Sequence, residues 1–333
     1  MNNTLKKIER NYSLDLLRIF AAGMVVMIHV SGYGLLNSDL HSANYFISIS
    51  FNALVRAAVP LFFMISGSLI LNPAYEISLN KLLHKIGNII VLVVLWNIIY
   101  YLCNMDYFSV YDLLKYAIKG HFHMWYFEYL IGVYLLIPLL KALVGYEKGS
   151  YIFYFVCCFF LLSIWTSTFN SIPFFNQEIR ILTSKIHFEL SDFSGYFILG
   201  YYLSTFNKKI NPLVLIFIFL VTTVFYLLFV INFTPSWSSD SFTLPILAQA
   251  ITLFLLFKQV NITKYQTSIQ LISSLTLGVY LIHPLILQYV PSLWWGKSFF
   301  SIPLAFIMVF CLSFVVIFLL EKVPLIKKWF LSI

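Results

Sequence analysis

Ten apolar runs follow one another through the 333 residues, with only short polar segments between them. They fall at about 14–36, 50–71, 86–103, 121–141, 151–169, 192–206, 211–232, 242–259, 268–290 and 299–320. About 20 apolar residues in a helix cross the roughly 30 Å of a bilayer's hydrocarbon. In that solvent every backbone polar group must be paired internally, so such runs are helices. The sequence therefore predicts an all-α polytopic membrane protein with about ten transmembrane helices, the run at 192–206 being the short one. Charged residues are 10% of the chain, where a soluble domain carries about 25%, so no soluble domain of about 100 residues or more fits between the runs. The net charge of +8 does not point to nucleic acid, because the basic residues are scattered through short loops.

The positive-inside rule gives that scatter a meaning. With a cytoplasmic N-terminus, the inner segments hold fourteen basic residues: Lys6, Lys7, Arg10, Lys81, Lys85, Lys141, Lys148, Lys208, Lys209, Lys258, Lys264, Lys322, Lys327 and Lys328. The outer segments hold six: Arg56, Lys115, Lys119, Arg180, Lys185 and Lys297. Both termini are thus expected in the cytoplasm, with the first run an uncleaved signal anchor. No repeat of fixed period and no linker divides the chain. The expectation is one domain over 1–333, with cytoplasmic tails at 1–13 and 321–333 and the bundle at 14–320. Tyr100, Tyr101, Trp125, Trp294 and Trp295 fall where interfacial aromatic belts would lie. Cys103, Cys157, Cys158 and Cys311 show no metal-ligand spacing.

The first run, LDLLRIFAAGMVVMIHVSGYGLL, carries Asp15, Arg18 and His29. In a helix, Arg18 and His29 are about 16 Å apart along the axis and only about 20° apart around it. Asp15 lies one turn before Arg18 on nearly the same face. Ionisable groups inside a membrane helix are costly and mark functional sites by default. By topology Arg18 lies near the cytoplasmic boundary, with His29 and His283 in the outer half. Arg56 lies near the outer end of the second run, Glu128 one to two turns into the fourth, and His121 and His123 at its outer mouth. A bland reading accompanies each: Arg18 snorkelling beside Asp15, His29 and His283 as hydrogen-bonded packing residues, Glu128 as a partner for Arg56 or a histidine. Ser66-Gly67 reads as close helix packing rather than as a nucleophile.

Four stretches read together: Arg18-x10-His29, RAAVPLFFMISG from Arg56, HMWYFEYLIGVYLLIP from His123, and LGVYLIHPLIL from Leu277. In this order on ten runs they resemble the acyltransferase-3 family of integral membrane acyltransferases. Within it the likeness is to membrane-only enzymes that O-acetylate surface polysaccharides of the O-antigen and enterobacterial common antigen type. It extends over about 12–320 and is weak from about 145 to 265.

The resemblance implies a donor, acetyl-CoA, used as substrate with no bound cofactor and no metal. It implies an acceptor that is a surface glycan or an undecaprenyl-linked sugar, in the bacterial cytoplasmic (inner) membrane. It assigns catalysis to His29, Arg18 and His283, donor binding to Arg18, Lys81 and Lys85, and the acceptor side to Arg56, Glu128 and His123. His29 would act as base toward the sugar hydroxyl or take the acetyl group covalently, and both routes stay open. Many members carry paired arginines where this chain has Lys81, His84 and Lys85, and lysine lacks the bidentate fork. No esterase-like domain follows the last run, so the chemistry is expected inside the bundle. Two rival functions remain, a transporter of a lipid-linked sugar or acyl donor and a non-catalytic partner of a polysaccharide synthase.

Overall fold

The computed structural model describes residues 10–145, 149–172, 177–189, 192–233, 241–290 and 300–331. Lys6, Lys7, Lys148 and Lys297 of the charge pattern and the belt residues Trp294 and Trp295 lie outside them. Among the described residues all regular structure is helical. In chain order the helices are α1 Tyr12–Leu36, α2 Ala43–Leu54, α3 Ala58–Ile70, α4 Leu79–Asn104, α5 Val110–Lys119, α6 Trp125–Gly145, α7 Ser150–Phe159, α8 Thr166–Ser171, α9 Gln177–Ile186, α10 Asp192–Thr205, α11 Pro212–Phe233, α12 Leu244–Lys258, α13 Gln266–Tyr289, α14 Ser301–Leu320 and α15 Pro324–Phe330. A π-helical turn, Phe160–Trp165, joins α7 to α8.

Among the described residues, eight stretches are long and apolar enough to cross a bilayer: Tyr12–Leu36, Ala43–Ile70, Leu79–Asn104, Trp125–Gly145, Ser150–Ser171, Pro212–Asn232, Gln266–Tyr289 and Ser301–Leu320. The chain is a multi-pass membrane protein. The other two of the ten expected spans are shorter. α10 has 14 residues and α12 has 15, about 21 and 22 Å of helix. All of α10 from Asp192 to Tyr201 is buried by other helices, so protein rather than lipid covers most of its backbone.

The second span begins at Ala43, seven residues before the expected start, because the Ser42 hydroxyl caps the Tyr45 N–H at 3.2 Å. It is also broken at 55–57. Pro60 removes an N–H and its ring crowds the carbonyl of residue 56, so a continuous helix through that point is disfavoured. Arg56 therefore sits in a turn between α2 and α3 rather than on a helix face. α5, outside the expected runs, is amphipathic, with Val110, Leu114 and Ile118 exposed along one side and no buried residue. That pattern suits a helix lying in the membrane interface.

α1 is central. It packs along α13, α2, α3, α14 and α12. Buried polar groups fix this assembly: Asn52 of α2 donates to Ser31 Oγ at 2.9 Å and to the Ile28 carbonyl at 3.3 Å. Gln249 of α12 donates to the Ala53 carbonyl at 3.1 Å and to Thr223 Oγ1 at 2.8 Å, closing the free end of α2. α3 and α10 approach closely at two glycines. A Cβ on Gly200 would stand 2.0 Å from the Met64 carbonyl oxygen, and one on Gly67 1.8 Å from that of Phe197. Gly67 is thus a packing residue, as its sequence context suggests. Gly200→Ala is expected to destabilise the bundle by at least the about 1–3 kcal/mol of ordinary overpacking, because the obstacle is backbone. Gly87→Ala, where a Cβ meets nothing within 4 Å, should leave thermal stability in detergent unchanged. Equal melting temperatures for the two variants would contradict this contact.

Candidate active site

The Arg18 end of α1 opens onto a cavity of about 260 Å³. Asp15, buried to 5% exposure, organises this end. It accepts from Arg10 Nε at 2.6 Å, Arg10 Nη2 at 3.2 Å and Ser273 Oγ of α13 at 2.9 Å. Arg18 reaches Asp15 and Ser273 only through Nη1, each at 3.4 Å. With its carboxylate partner already satisfied, most of the Arg18 fork is left to the cavity it lines. Lys85 of α4 lines the same cavity and lies 5.4 Å above the Tyr134 ring. Ser66, Thr276, Tyr126, Tyr134 and Tyr280 add hydroxyl groups. Two cations and a set of hydroxyls, with no carboxylate in the lining, form a cavity suited to an anionic ligand. Lys81, by contrast, is exposed one turn earlier on α4 and is absent from the lining, and His84 is also exposed.

The other end of α1 carries His29 into a cluster of four histidines. The His29 ring lies 5.1 Å from that of His283 and 5.3 Å from Phe122. No hydrogen bond joins it to any described residue. His283, on α13, is fully buried. Its Nδ1 lies 3.1 Å from the Val279 carbonyl. A carbonyl only accepts, so Nδ1 carries the proton and Nε2 presents a lone pair. That Nε2 is buried and has no partner among the described residues, which leaves it open to a water, a ligand or a role in proton transfer. Arg56 places its charge near enough to His29 to act on it electrostatically, and its Nε is likewise buried without a partner among the described residues.

His121 and His123 complete the cluster, from the loop between α5 and α6. Gly120 leaves α5 with φ +78°, open to glycine at little cost. Asn97 of α4 then holds the loop, donating to the Ala117 carbonyl at 3.2 Å and accepting from the His121 N–H at 3.2 Å. The His121 ring stacks on Tyr100 at 3.9 Å, and Tyr280 donates to the His123 carbonyl. His123 is consequently buried to 0% exposure rather than sitting at an interfacial mouth. Its ring lies 5.9 Å from that of His283, and the Nδ1 atoms of His121 and His123 are 2.8 Å apart. Burial pushes His121 down to about 4. Burial, then the neighbouring His283, His121 and His29, hold His123 well below the usual histidine range. Both are neutral at pH 7.

Glu128 is not brought to the cluster. It is exposed in the first turn of α6, on the side of Tyr129, and forms no ion pair with Arg56 or a histidine among the described residues. Between the cavity and the histidines stands an aromatic wall. Tyr280 lies 5.5 Å from Tyr126 on the cavity side and 5.6 Å from His123 on the other. Sequence reading passed over Tyr126, Tyr280, Ser273 and Asn97, and it expected Tyr100 and Tyr101 in an interfacial belt, whereas both are buried among the helices. Only Asn97 left a clear signal, an amide in the middle of an apolar run.

The sequence model of a family described as an acyltransferase domain matches residues 11–322. An amino-acid racemase of Enterococcus faecalis is 29% identical over 316 residues, a match that takes in 85% of this chain and 42% of that protein. The chain thus spans about two-fifths of the length of that curated relative. No solved structure matches significantly. Because the family match runs from the capped start of α1 to the end of α14, through both ends of the site, the chain belongs to the acyltransferase-3 family.

Proposed function

We propose that this protein is an O-acetyltransferase that moves an acetyl group from cytoplasmic acetyl-CoA to a sugar hydroxyl. The acceptor is a bacterial surface polysaccharide (O-antigen, capsule, exopolysaccharide or common antigen) or its undecaprenyl-linked precursor, and the enzyme works in the inner membrane. One observation carries the reading: a cationic, hydroxyl-lined cavity and a histidine cluster stand at opposite ends of the same helix face, with Tyr126 and Tyr280 between them. The Arg18 and Lys85 charges suit the phosphates of CoA. The roughly 16 Å from Arg18 to His29 along α1 suits a long thin arm delivering a thioester. His29 and His283 supply the base or the nucleophile, and Arg56 grips the acceptor or a diphosphate that carries it.

Reconstitution with labelled acetyl-CoA tests this. Label on a glycan supports the enzyme, and movement of a lipid-linked sugar without label transfer supports the transporter. Free amino acids belong among the acceptors offered, since the curated relative is named as a racemase of amino acids. Label on those alone would replace the glycan in this reading. Arg18→Lys is expected to raise KM for acetyl-CoA about tenfold, because the charge stays but the planar fork is lost. An unchanged KM would leave Arg18 as a snorkelling residue held by Asp15.

A further inference from the structure

We infer that the cavity between the end of α4 and α5 is a glycan subsite, holding a neutral sugar unit next to the one acylated in the histidine chamber. This rests on the glycan acceptor proposed above and deepens it. The cavity measures about 240 Å³ and is lined chiefly by Tyr101, Asn104, Asp106, Tyr107, Asp112 and Tyr116.

The local fold builds it. α4 ends at Asn104, and residues 105–109 bring the chain back against it as α5 begins, where Ser109 Oγ caps the Asp112 N–H at 3.3 Å. Tyr101, only 5% exposed, pins that return. Its hydroxyl donates to the Ser109 carbonyl at 3.0 Å and accepts from the Ser109 N–H at 2.8 Å. Its ring lies 5.6 Å from that of Tyr116. On α5, Asp112 and Tyr116 are one turn apart, on the side opposite Val110, Leu114 and Ile118. The helix therefore turns an apolar face to the membrane interface and a polar one to the cavity.

The lining holds two carboxylates, an amide and three tyrosine rings, and no lysine or arginine. Neither Asp106 nor Asp112 forms an ion pair among the described residues, although Lys115 and Lys119 share α5 with Asp112. Asn104 donates to the Tyr100 carbonyl at 2.8 Å, which leaves its amide oxygen as an acceptor. The set is rich in acceptors and in flat apolar faces. A pyranose is the complement, with hydroxyl donors around a C–H face that lies on an aromatic ring. Its hydroxyls bond to carboxylates in the strong, charge-assisted way. An anion is repelled here, whereas the cavity at Arg18 has two cations and no carboxylate in its lining. The two cavities thus differ in charge as an anionic donor and a neutral acceptor would require.

The subsite also adjoins the chamber. Tyr100, next to Tyr101 on α4, carries the stacked His121 ring at 3.9 Å. From Tyr116, α5 leads through Gly120 directly to His121 and His123. On the topology expected from the basic residues, this end of α4 lies outside, where a surface glycan arrives.

The test uses the full-length protein in nanodiscs. The probe is a set of neutral oligosaccharides of graded length, cut from the surface polysaccharide of the producing cell. Binding is read by calorimetry, and transfer with labelled acetyl-CoA. Tyr107→Ala and Asp106→Ala alter exposed side chains outside the helices, so the fold should stand. Each should raise Kd and KM for the longer oligosaccharides about tenfold, the effect of losing one bond to a charged group or a comparable ring contact. KM for acetyl-CoA should not change, and shortening the acceptor to the single acylated sugar should erase the difference from wild type. His29→Ala should lose transfer yet bind the oligosaccharides normally. Wild-type affinity in both Tyr107→Ala and Asp106→Ala overturns the subsite and leaves the acyltransferase reading intact. Full transfer in His29→Ala overturns the chamber instead, and the binding data still decide the subsite. Tetramethylammonium chloride is the second probe. If it binds here and the oligosaccharides do not, the tyrosines and carboxylates form a cation cage and the glycan assignment falls.

Discussion

Replacing His29 with alanine is expected to lower acyl transfer by about 10²–10⁴-fold, the range that a positioned acid–base group contributes, while the amount of protein in the membrane stays normal. The two halves of that result rest on separate observations. The chemical half rests on position. His29 stands beside the lone-pair nitrogen of His283 and within the influence of Arg56, and no described residue occupies its ring nitrogens. The folding half rests on what His29 does not do. α1 is held near this point by Asn52 to Ser31 and to the Ile28 carbonyl, and by Val26 and Val30, both buried against α14 residues such as Ala305 and Val309. Beyond His283, the ring contact recorded for His29 is Phe122, itself 61% exposed. Deleting the imidazole leaves those supports in place. Transfer rate per mole of purified protein is the measurement, and a rate that falls only in step with protein yield would reduce His29 to packing. Mass spectrometry after a single turnover without acceptor would also tell the two routes apart, since only the covalent route leaves an acetyl group on the chain.

The opening helix was legible because its geometry is local. Arg18, His29 and Asp15 lie on one straight segment, and 3.6 residues per turn place them without knowing any neighbour. What they meet was not legible. Ser273 touches Asp15 across 258 positions, and helix rotation about its own axis is set by packing that one sequence does not print. The same ignorance explains Glu128. Its expected depth made it a candidate partner of Arg56, yet α6 turns Phe127 inward and Glu128 out. Lys81 and Lys85 are one turn apart and chemically alike, and only the docking of α4 decides that Lys85 reaches the cavity. Two features were written in the sequence and passed over. Pro60 forecast the break that frees Arg56 from a helix, and Asn97 in an apolar run forecast a polar partner, which proves to be the loop that carries His121 and His123 inward. The α10 helix shows the limit of counting apolar residues. Fourteen residues are too few to span alone, but glycine contacts with α3 bury it so fully that it need not.

The second large effect is expected at His283, and the choice of replacement decides what it reveals. His283→Asn should reduce acyl transfer by about 10²-fold or more and leave the thermal stability of the bundle close to wild type. An asparagine amide can keep a donor where Nδ1–H now meets the Val279 carbonyl, so the bond that seats the side chain on its own helix survives. The lone pair at Nε2 does not. A structural histidine would behave in the opposite way, since its one recorded bond is the part that Asn retains. His283→Leu completes the comparison. It fills the space but removes both the base and the donor that His283 Nδ1–H offers the Val279 carbonyl, so both activity and stability should fall, the latter by about 1–3 kcal/mol. Activity that follows stability across the two variants, rather than falling in both, would show that His283 only supports His29. Activity lost in both, with stability lost in one, would place the proton-accepting nitrogen on α13 and give the pairing of α1 with α13 its chemical reason: one helix brings the first histidine from the cationic cavity, and the other supplies the base that faces it.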